Sequence, residues 1–349
     1  MTVHRPQVSV IMPTHNRTAY AAEAIRSIQS QSLTDWELLI VASNSDEAHL
    51  DVLGHFAASD NRIQLLILEQ PSRMNHVGLM RNFALKNAQG SYIALMDDDD
   101  LSHSIRLEIQ KDFLDKNPHI AACCVQSNFM YMDRSIGTSR GRPVPTRYFP
   151  PIPKLYIERR LHVATPSMMS RRQALEEVHG YRSYFAYGAE DSDLSLRMEE
   201  SFCLAELSDV LYSYRIHPGN MSSNPVCRLF GIQAHIDASW RRAHGYSMID
   251  RGAGYWEVAA RLSVLPTRSS RRFLEHSWRY ACLLLAAKEA DSAWAFWRRS
   301  IACVSVLGLR LRYLRAKLQF KLWLRTLFIR CQGRFHKKID IRLIDQLQA

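Results

Sequence analysis

In the first hundred or so residues, four short runs of almost uninterrupted apolar side chains alternate with longer stretches of helical spacing, and this alternation constrains the fold most. The runs are residues 7–12, 36–41, 62–68 and 91–96. A strand with one face in water alternates apolar and polar side chains, whereas one covered on both faces has no polar face to show. Between the runs, Ala21, Ala24, Ile25 and Ile28, and later Leu79, Phe83 and Leu85, mark helices. Strand and helix in alternation predict an α/β fold with a mostly parallel sheet and helices on both faces. Ligands of such sheets bind beyond the carboxyl ends of the strands, so the loops after Met12, Val41, Leu68 and Met96 are expected to line one crevice.

The loop after the fourth run is Asp97, Asp98, Asp99 and Asp100. Four adjacent carboxylates repel one another, and an apolar strand that delivers them to a sheet edge is costly unless a cation offsets them. A hard divalent ion, Mn2+ or Mg2+, shared between carboxylates and substrate phosphates is the natural partner. The plainer alternative is a solvated loop whose acids cap a helix beginning near Ser104. An EF-hand is excluded: Glu108 falls at the twelfth position, but Leu101 and Ser102 occupy positions five and six, and a strand precedes the loop.

Three further stretches carry chemistry-bearing residues. The first run leads into Pro13-Thr14-His15-Asn16-Arg17. Downstream, Tyr187-Gly188-Ala189-Glu190-Asp191-Ser192-Asp193 opens a helical stretch, where an acid alone reads equally well as an N-cap. A β-type run from Val210 then ends in Arg215-Ile216-His217-Pro218-Gly219, and a single histidine there is more often structural than a ligand.

Charge divides the 349-residue chain. Residues 225–349 hold 23 Lys and Arg against 8 Asp and Glu, whereas residues 1–224 hold 22 against 26. The basic part has apolar residues at helical spacing throughout, and residues 298–338 carry 12 cations and no acid around Leu307, Leu311, Leu314, Leu318 and Leu322. That composition suits an interfacial helix drawn to an anionic membrane surface, and equally a basic helix packed on an acidic domain. Nucleic acid is not an expected partner, because no recognised nucleic-acid module accompanies the charge. Seven cysteines without a C-x-x-C pair predict neither a disulfide framework nor a zinc site and fit a reducing cytoplasm. The amino terminus lacks a signal-peptide apolar region, and no apolar run nears the ~20 residues of a membrane span. Cytoplasmic residence, with peripheral attachment to the inner membrane's cytoplasmic face as an option, is the expectation.

Taken in order, these features resemble the family 2 glycosyltransferases of the GT-A fold. The resemblance runs from the strand and Pro-x-x-Asn-Arg loop of residues 8–17 through Gly78, Arg81, Asn82, Gly90 and the acidic signature Asp97 to Asp100, and ends on Glu190, Asp191, Asp193, Leu194 and Arg197. It covers about residues 7–224 and implies a catalytic domain at 1–224 followed by the basic helical region 225–349. It also implies an inverting, metal-dependent transfer from a nucleoside-diphosphate sugar to a saccharide or glycolipid hydroxyl. In that reading Asp191 is the general base, Glu190 shapes the acceptor site, and Asp99 and His217 hold the metal. Pro13, His15, Arg17, His76, Arg81, Asp97, Asp98 and Asp99 line the donor site, and the roles within the acidic signature are interchangeable by one position. There is one departure: where many members carry an acidic pair after the second strand, this chain has Ala42-Ser43-Asn44, so Ser43 or Asn44 takes over base recognition or the donor is held through ribose, phosphate and metal. Two rivals stand beside this reading. A sugar nucleotidyltransferase predicts a glycine-rich first loop, which residues 13–17 lack, and a non-catalytic scaffold predicts loss of the acids that are present.

Overall fold

The computed structural model describes residues 5–69, 77–131, 134–138, 144–151, 165–182, 188–217 and 220. His76 and the predicted helical region 225–349 lie outside the described residues. The elements are β1 (Val8–Thr14), α1 (Thr18–Gln29), β2 (Trp36–Ala42), α2 (Glu47–Ser59), β3 (Ile63–Ile67), α3 (Val77–Asn87), β4 (Tyr92–Leu95) and β5 (Leu101–Ser102). They continue with α4 (Arg106–Lys116), β6 (Ile120–Tyr131), β7 (Arg134–Thr138), β8 (Arg147–Phe149), β9 (Met169–Arg171), α5 (Arg172–Glu177), α6 (Glu190–Ser201) and β10 (Cys203–Ile216).

The four predicted strands form a parallel half-sheet in the order β3-β2-β1-β4, with Val8 opposite both Trp36 and Tyr92. Beyond it the sheet is mixed. The order continues β9-β6-β10-β5, with the short β9 antiparallel to both β4 and β6. Two reversals restore direction, so β6 and β10 run the same way as β4, and the carboxyl end of β10 meets the same sheet edge as those of β1, β2 and β4.

Both faces are covered, which explains the absence of a polar face in the strands. Val8, Val10 and Met12 pack with Ala24, Ile25 and Ile28 of α1, Leu53 of α2 and Leu107 of α4. The opposite face joins Ile11, Leu39 and Val41 to Met80 and Ala84 of α3, Leu175 of α5 and Leu194 and Met198 of α6. Each fully buried Val, Leu, Ile or Met among them contributes about 1.5–3 kcal/mol relative to exposure. In α3 the buried face is rotated from the predicted one: Met80, Arg81 and Ala84 are buried and Leu79 is 36% exposed. Met80, Ala84 and the following Ala88 recur every four residues and form the stripe that meets the core, with Phe83 and Leu85 packed at its margin.

Two contacts fix β4 beside β1. A Cβ at Gly90 would stand 2.5 Å from the Ser9 backbone nitrogen, so only glycine lets the α3–β4 turn come this close. Next to it, the buried Glu37 carboxylate accepts hydrogen bonds from Ser9 Oγ and the Gln89 backbone N–H, both at 2.6 Å, and from Gln64 Nε2 at 3.1 Å. A buried carboxylate is tolerated when its lone pairs are taken in this way. The outcome is positional: the residues that follow β4 emerge directly beside those that follow β1.

Candidate active site

The loop after β4 holds its four aspartates in four different environments. Asp97 Oδ1 accepts from Arg81 Nη2 at 2.8 Å, and the Asp97 backbone N–H donates to the Tyr212 hydroxyl at 3.2 Å. Asp98 accepts from Thr14 Oγ1 at 2.7 Å and from Arg17 Nη1 at 3.0 Å. Asp99 Oδ2 pairs with Arg17 Nη1 and with His217 Nε2, the latter at 3.1 Å. Asp100 is fully buried; its Oδ1 accepts the Arg215 backbone N–H at 2.8 Å, while its Oδ2 has no hydrogen-bond partner. Burial, then crowding by like charges, raises the pKa of Asp97 and lifts that of Asp100 well above the usual carboxylate range. For Asp98, burial outweighs Arg17 and pushes the value up to about 6.

These acids do not cap a helix. They precede β5, and α4 starts only at Arg106, preceded by Ile105 with no side-chain cap. Carboxylate oxygens of Asp97, Asp99 and Asp100 lie within 4.8 Å of one another. Three converging hard donors, one carrying a buried oxygen with no partner, fit a divalent cation of the Mg2+ or Mn2+ type.

Arginines supply the protein's own counter-charge. Arg17 reaches in from the β1 loop, and Arg215 of β10 packs its Nε against the Asp99 carbonyl at 3.1 Å while its guanidinium pairs with Glu23 and stacks on Tyr20. Arg81 bridges two acids, donating to Asp97 and, through Nη1 at 2.9 Å, to Glu190 Oε1. Burial works against the Arg81 charge, but Tyr181, Asp97, Glu190 and Asp191 outweigh it and raise its pKa. Glu190 opens α6 and is itself buried, which pushes its pKa up to about 7 against the opposing pull of Arg81. The approach to α6 needs left-handed backbone at Gly188 and Ala189, with φ of 118° and 67°. Gly78 makes room on α3, where a Cβ would meet the Glu190 and Tyr181 Cβ atoms at 3.3 Å.

Comparison with known proteins agrees with this geometry. The model of glycosyl transferase family 2 matches residues 9–179. The putative glycosyltransferase EpsE of Bacillus subtilis is 36% identical over 217 residues, which is 60% of this chain and 73% of EpsE. The chain belongs to glycosyl transferase family 2. The O-antigen biosynthesis glycosyltransferase WbnJ of Escherichia coli is 28% identical over 218 residues, covering 60% of this chain and 80% of WbnJ. Among solved structures, S. aureus TarS in complex with UDP-GlcNAc superposes with a TM-score of 0.52 at 18% identity, over 84% of this chain and 90% of that one. The mannosyltransferase PcManGT from Pyrobaculum calidifontis, in complex with GDP-Man and Mn2+, gives 0.50 at 16% over 87% and 86%. At that identity the likeness establishes the GT-A fold.

In this glycosyltransferase the edge brings together Arg17, Arg81, Asp97, Asp98, Asp99, Glu190 and His217. Asp191 lies in the first turn of α6 beside them, half-buried, with Oδ1 accepting the Ser192 N–H at 2.6 Å. Asp193 belongs elsewhere: buried against Arg182 and Arg197, it anchors α6 to the body. Pro13 is in the strand rather than the loop, opposite Val41 of β2, and is tolerated because pairing of β1 with β4 has ended at Ile11 and Leu95. His15 meets the acids only through its backbone N–H, which donates to Asp98 Oδ2 at 3.4 Å, while its ring joins Nδ1 to the Ser43 carbonyl at 2.9 Å and so brings the β2 loop into the crevice. The loop after β3 is described only to Glu69. Sequence reasoning missed Thr14, Tyr212, Arg215 and the place of Asp100 in the carboxylate cluster with Asp97 and Asp99. The run of four acids contained the last of these, but no local spacing signals the others.

The raised pKa of Asp98 gives a signed prediction. The folded chain keeps this proton up to about pH 6 while the unfolded chain releases it near the ordinary aspartate value of 3.8, so the native state binds more protons between those values and loses stability as pH rises through them. Urea denaturation of wild type and Asp98→Asn at pH 4 to 7 should show wild type losing about 2–3 kcal/mol relative to the variant across that window, at about 1.4 kcal/mol per pKa unit. A difference that stays constant with pH would contradict this.

Proposed function

We propose that this glycosyltransferase is an inverting, divalent-metal-dependent enzyme that moves a sugar from a nucleoside diphosphate to a hydroxyl of a saccharide or lipid-linked saccharide. The observation that carries the reading is the meeting, on one sheet edge, of the Asp97, Asp99 and Asp100 cluster with the helix start that bears Asp191. Asp99 and His217, together with Asp97 and Asp100, would hold the ion. When bound, it supplies Lewis-acid stabilisation of the charge that builds on the departing diphosphate. Arg17, whose side chain remains 27% exposed beside the cluster, is placed to take a phosphate oxygen as well. Thr14, His15 and Asp98 line the end of β1, where the nucleoside is expected, and Ser43 or Asn44 of the adjoining β2 loop would take up the base.

The two acids at the start of α6 divide their work. Glu190 is engaged by Arg81 and shapes the acceptor side, whereas Asp191 is half-buried and clear of that ion pair. Asp191 therefore takes the acceptor hydroxyl proton as that oxygen attacks the anomeric carbon from the face opposite the diphosphate. Arg81 ties the two functions, since one guanidinium fixes both Asp97 of the metal cluster and Glu190 next to the base.

Among the described residues no helix is long and apolar enough to cross a membrane. The 12 cations of residues 298–338, without an acid, support a peripheral contact with an anionic membrane, where a lipid-linked acceptor would be presented.

The chemical reading is tested with a panel of nucleotide sugars and saccharide acceptors. Asp191→Asn should lower turnover by about 10²- to 10⁴-fold with donor affinity nearly unchanged, and the product linkage should have the anomeric configuration opposite to the donor's. A loss confined to donor binding, or a retained configuration, would overturn it. For the membrane contact, co-sedimentation with vesicles should be strong on anionic and weak on neutral lipid and should decline with salt; equal binding to both lipids would contradict it.

A further inference from the structure

Behind Asp98 lies a hydrogen-bond chain that neither the acidic signature nor the reaction accounts for. His49 is in the first turn of α2, where Asp46 Oδ1 accepts its backbone N–H at 2.8 Å, and its ring is fully buried. Both ring nitrogens are in use: Nε2 lies 3.0 Å from Thr14 Oγ1 and Nδ1 lies 3.0 Å from Thr18 Oγ1. Thr14 Oγ1 is in turn 2.7 Å from Asp98 Oδ2. We propose that His49 is a positioning residue of the donor site, held as its Nε2–H tautomer so that the Thr14 hydroxyl proton is committed to Asp98.

With Asp98 ionised, proton counting requires that tautomer. An ionised carboxylate only accepts, so the single hydroxyl proton of Thr14 goes to Asp98. The Thr14 oxygen must then accept from His49 Nε2–H, which leaves Nδ1 with a lone pair that accepts the Thr18 hydroxyl. In the opposite tautomer Thr14 would have to donate to Nε2, leaving two oxygens with no proton between them at 2.7 Å. A doubly protonated ring would fit Thr14 but would set Nδ1–H against the Thr18 proton, forcing that hydroxyl to turn away. The surroundings favour a neutral ring: burial lowers the His49 pKa, His15 acts in the same direction, and Asp46 opposes them.

The chain joins three elements to one carboxylate. Thr18 begins α1, His49 belongs to α2, Thr14 ends β1 and Asp98 follows β4. With Oδ1 held by Arg17 and Oδ2 by Thr14, the Asp98 carboxylate has its plane set from two sides. This inference rests on the reading of Asp98 as a donor-site residue. The His49 side chain itself touches no substrate position and acts only through Thr14.

Two measurements judge it. Nitrogen-15 NMR of the full chain's histidine rings at pH 7 should find His49 neutral with Nε2 protonated and Nδ1 bare, and a protonated Nδ1 would overturn the relay. Calorimetric titration with UDP and with GDP, each with Mn2+, then reads the function. His49→Leu should weaken the diphosphate that binds by about five- to tenfold, the scale of one lost hydrogen bond. His49→Gln, which keeps a donor toward Thr14, should recover most of that loss. In a Thr14→Val background His49→Leu should change affinity by less than about twofold, because its effect passes through Thr14. Additive losses, or equal losses in the Leu and Gln variants, would show that His49 only packs. If wild type binds neither diphosphate, the donor reading fails, and the ring-nitrogen measurement still decides whether the relay exists.

Discussion

Four successive aspartates at the carboxyl end of β4, three of them buried and Asp97 partly so, are the constraint around which the rest of this protein is arranged. Carboxylates removed from water and set side by side are unfavourable unless charge or protons compensate them. Here the compensation comes from widely separated parts of the chain: Arg17 after β1, Arg81 on α3, Arg215 and His217 at the end of β10. Each of these contacts also fixes an element in space. The acid turn thus works as the junction at which the parallel half-sheet, the mixed half-sheet and α6 are brought into register.

The same arrangement prepares the site for chemistry. Raised pKa values at Asp97, Asp98, Asp100 and Glu190 record burial first, with crowding by neighbouring carboxylates adding to it and the arginines only partly offsetting both. Clusters of perturbed acids in a crevice are characteristic of functional sites, because the strain is relieved when a cation or substrate arrives. Arg81 links the cluster to the start of α6, since its one guanidinium donates to both Asp97 and Glu190.

Much of this was legible in the sequence, for identifiable physical reasons. Strands buried on both faces must be nearly all apolar, so β1 to β4 could be read directly, and a run of four acids after such a strand stands out against any background. Glu190 and Asp191 were legible as a pair, with roles that the family resemblance suggested, but the Arg81 guanidinium that reaches Glu190 across 109 positions was not. The second half of the sheet was hidden because β9 is three residues long and pairs with β4 and β6 far from it in sequence. His49 gave no signal either: a lone histidine in an amphipathic helix is ordinary until Thr14 and Thr18 are seen on its two nitrogens. Arg81 lay in a helix whose apolar spacing pointed to a different buried face from the one that Met80 and Ala84 form.

The claim that the acid turn is completed by a divalent ion is tested most directly by counting the ion. Electron paramagnetic resonance of Mn2+ titrated into the full chain with saturating nucleoside diphosphate should show one tightly held ion per chain in wild type. It should be lost in Asp100→Asn and retained in Asp98→Asn, since Asp98 lies outside the cluster formed by Asp97, Asp99 and Asp100. An ion bound as tightly in Asp100→Asn as in wild type, or no bound ion in wild type, would contradict the account.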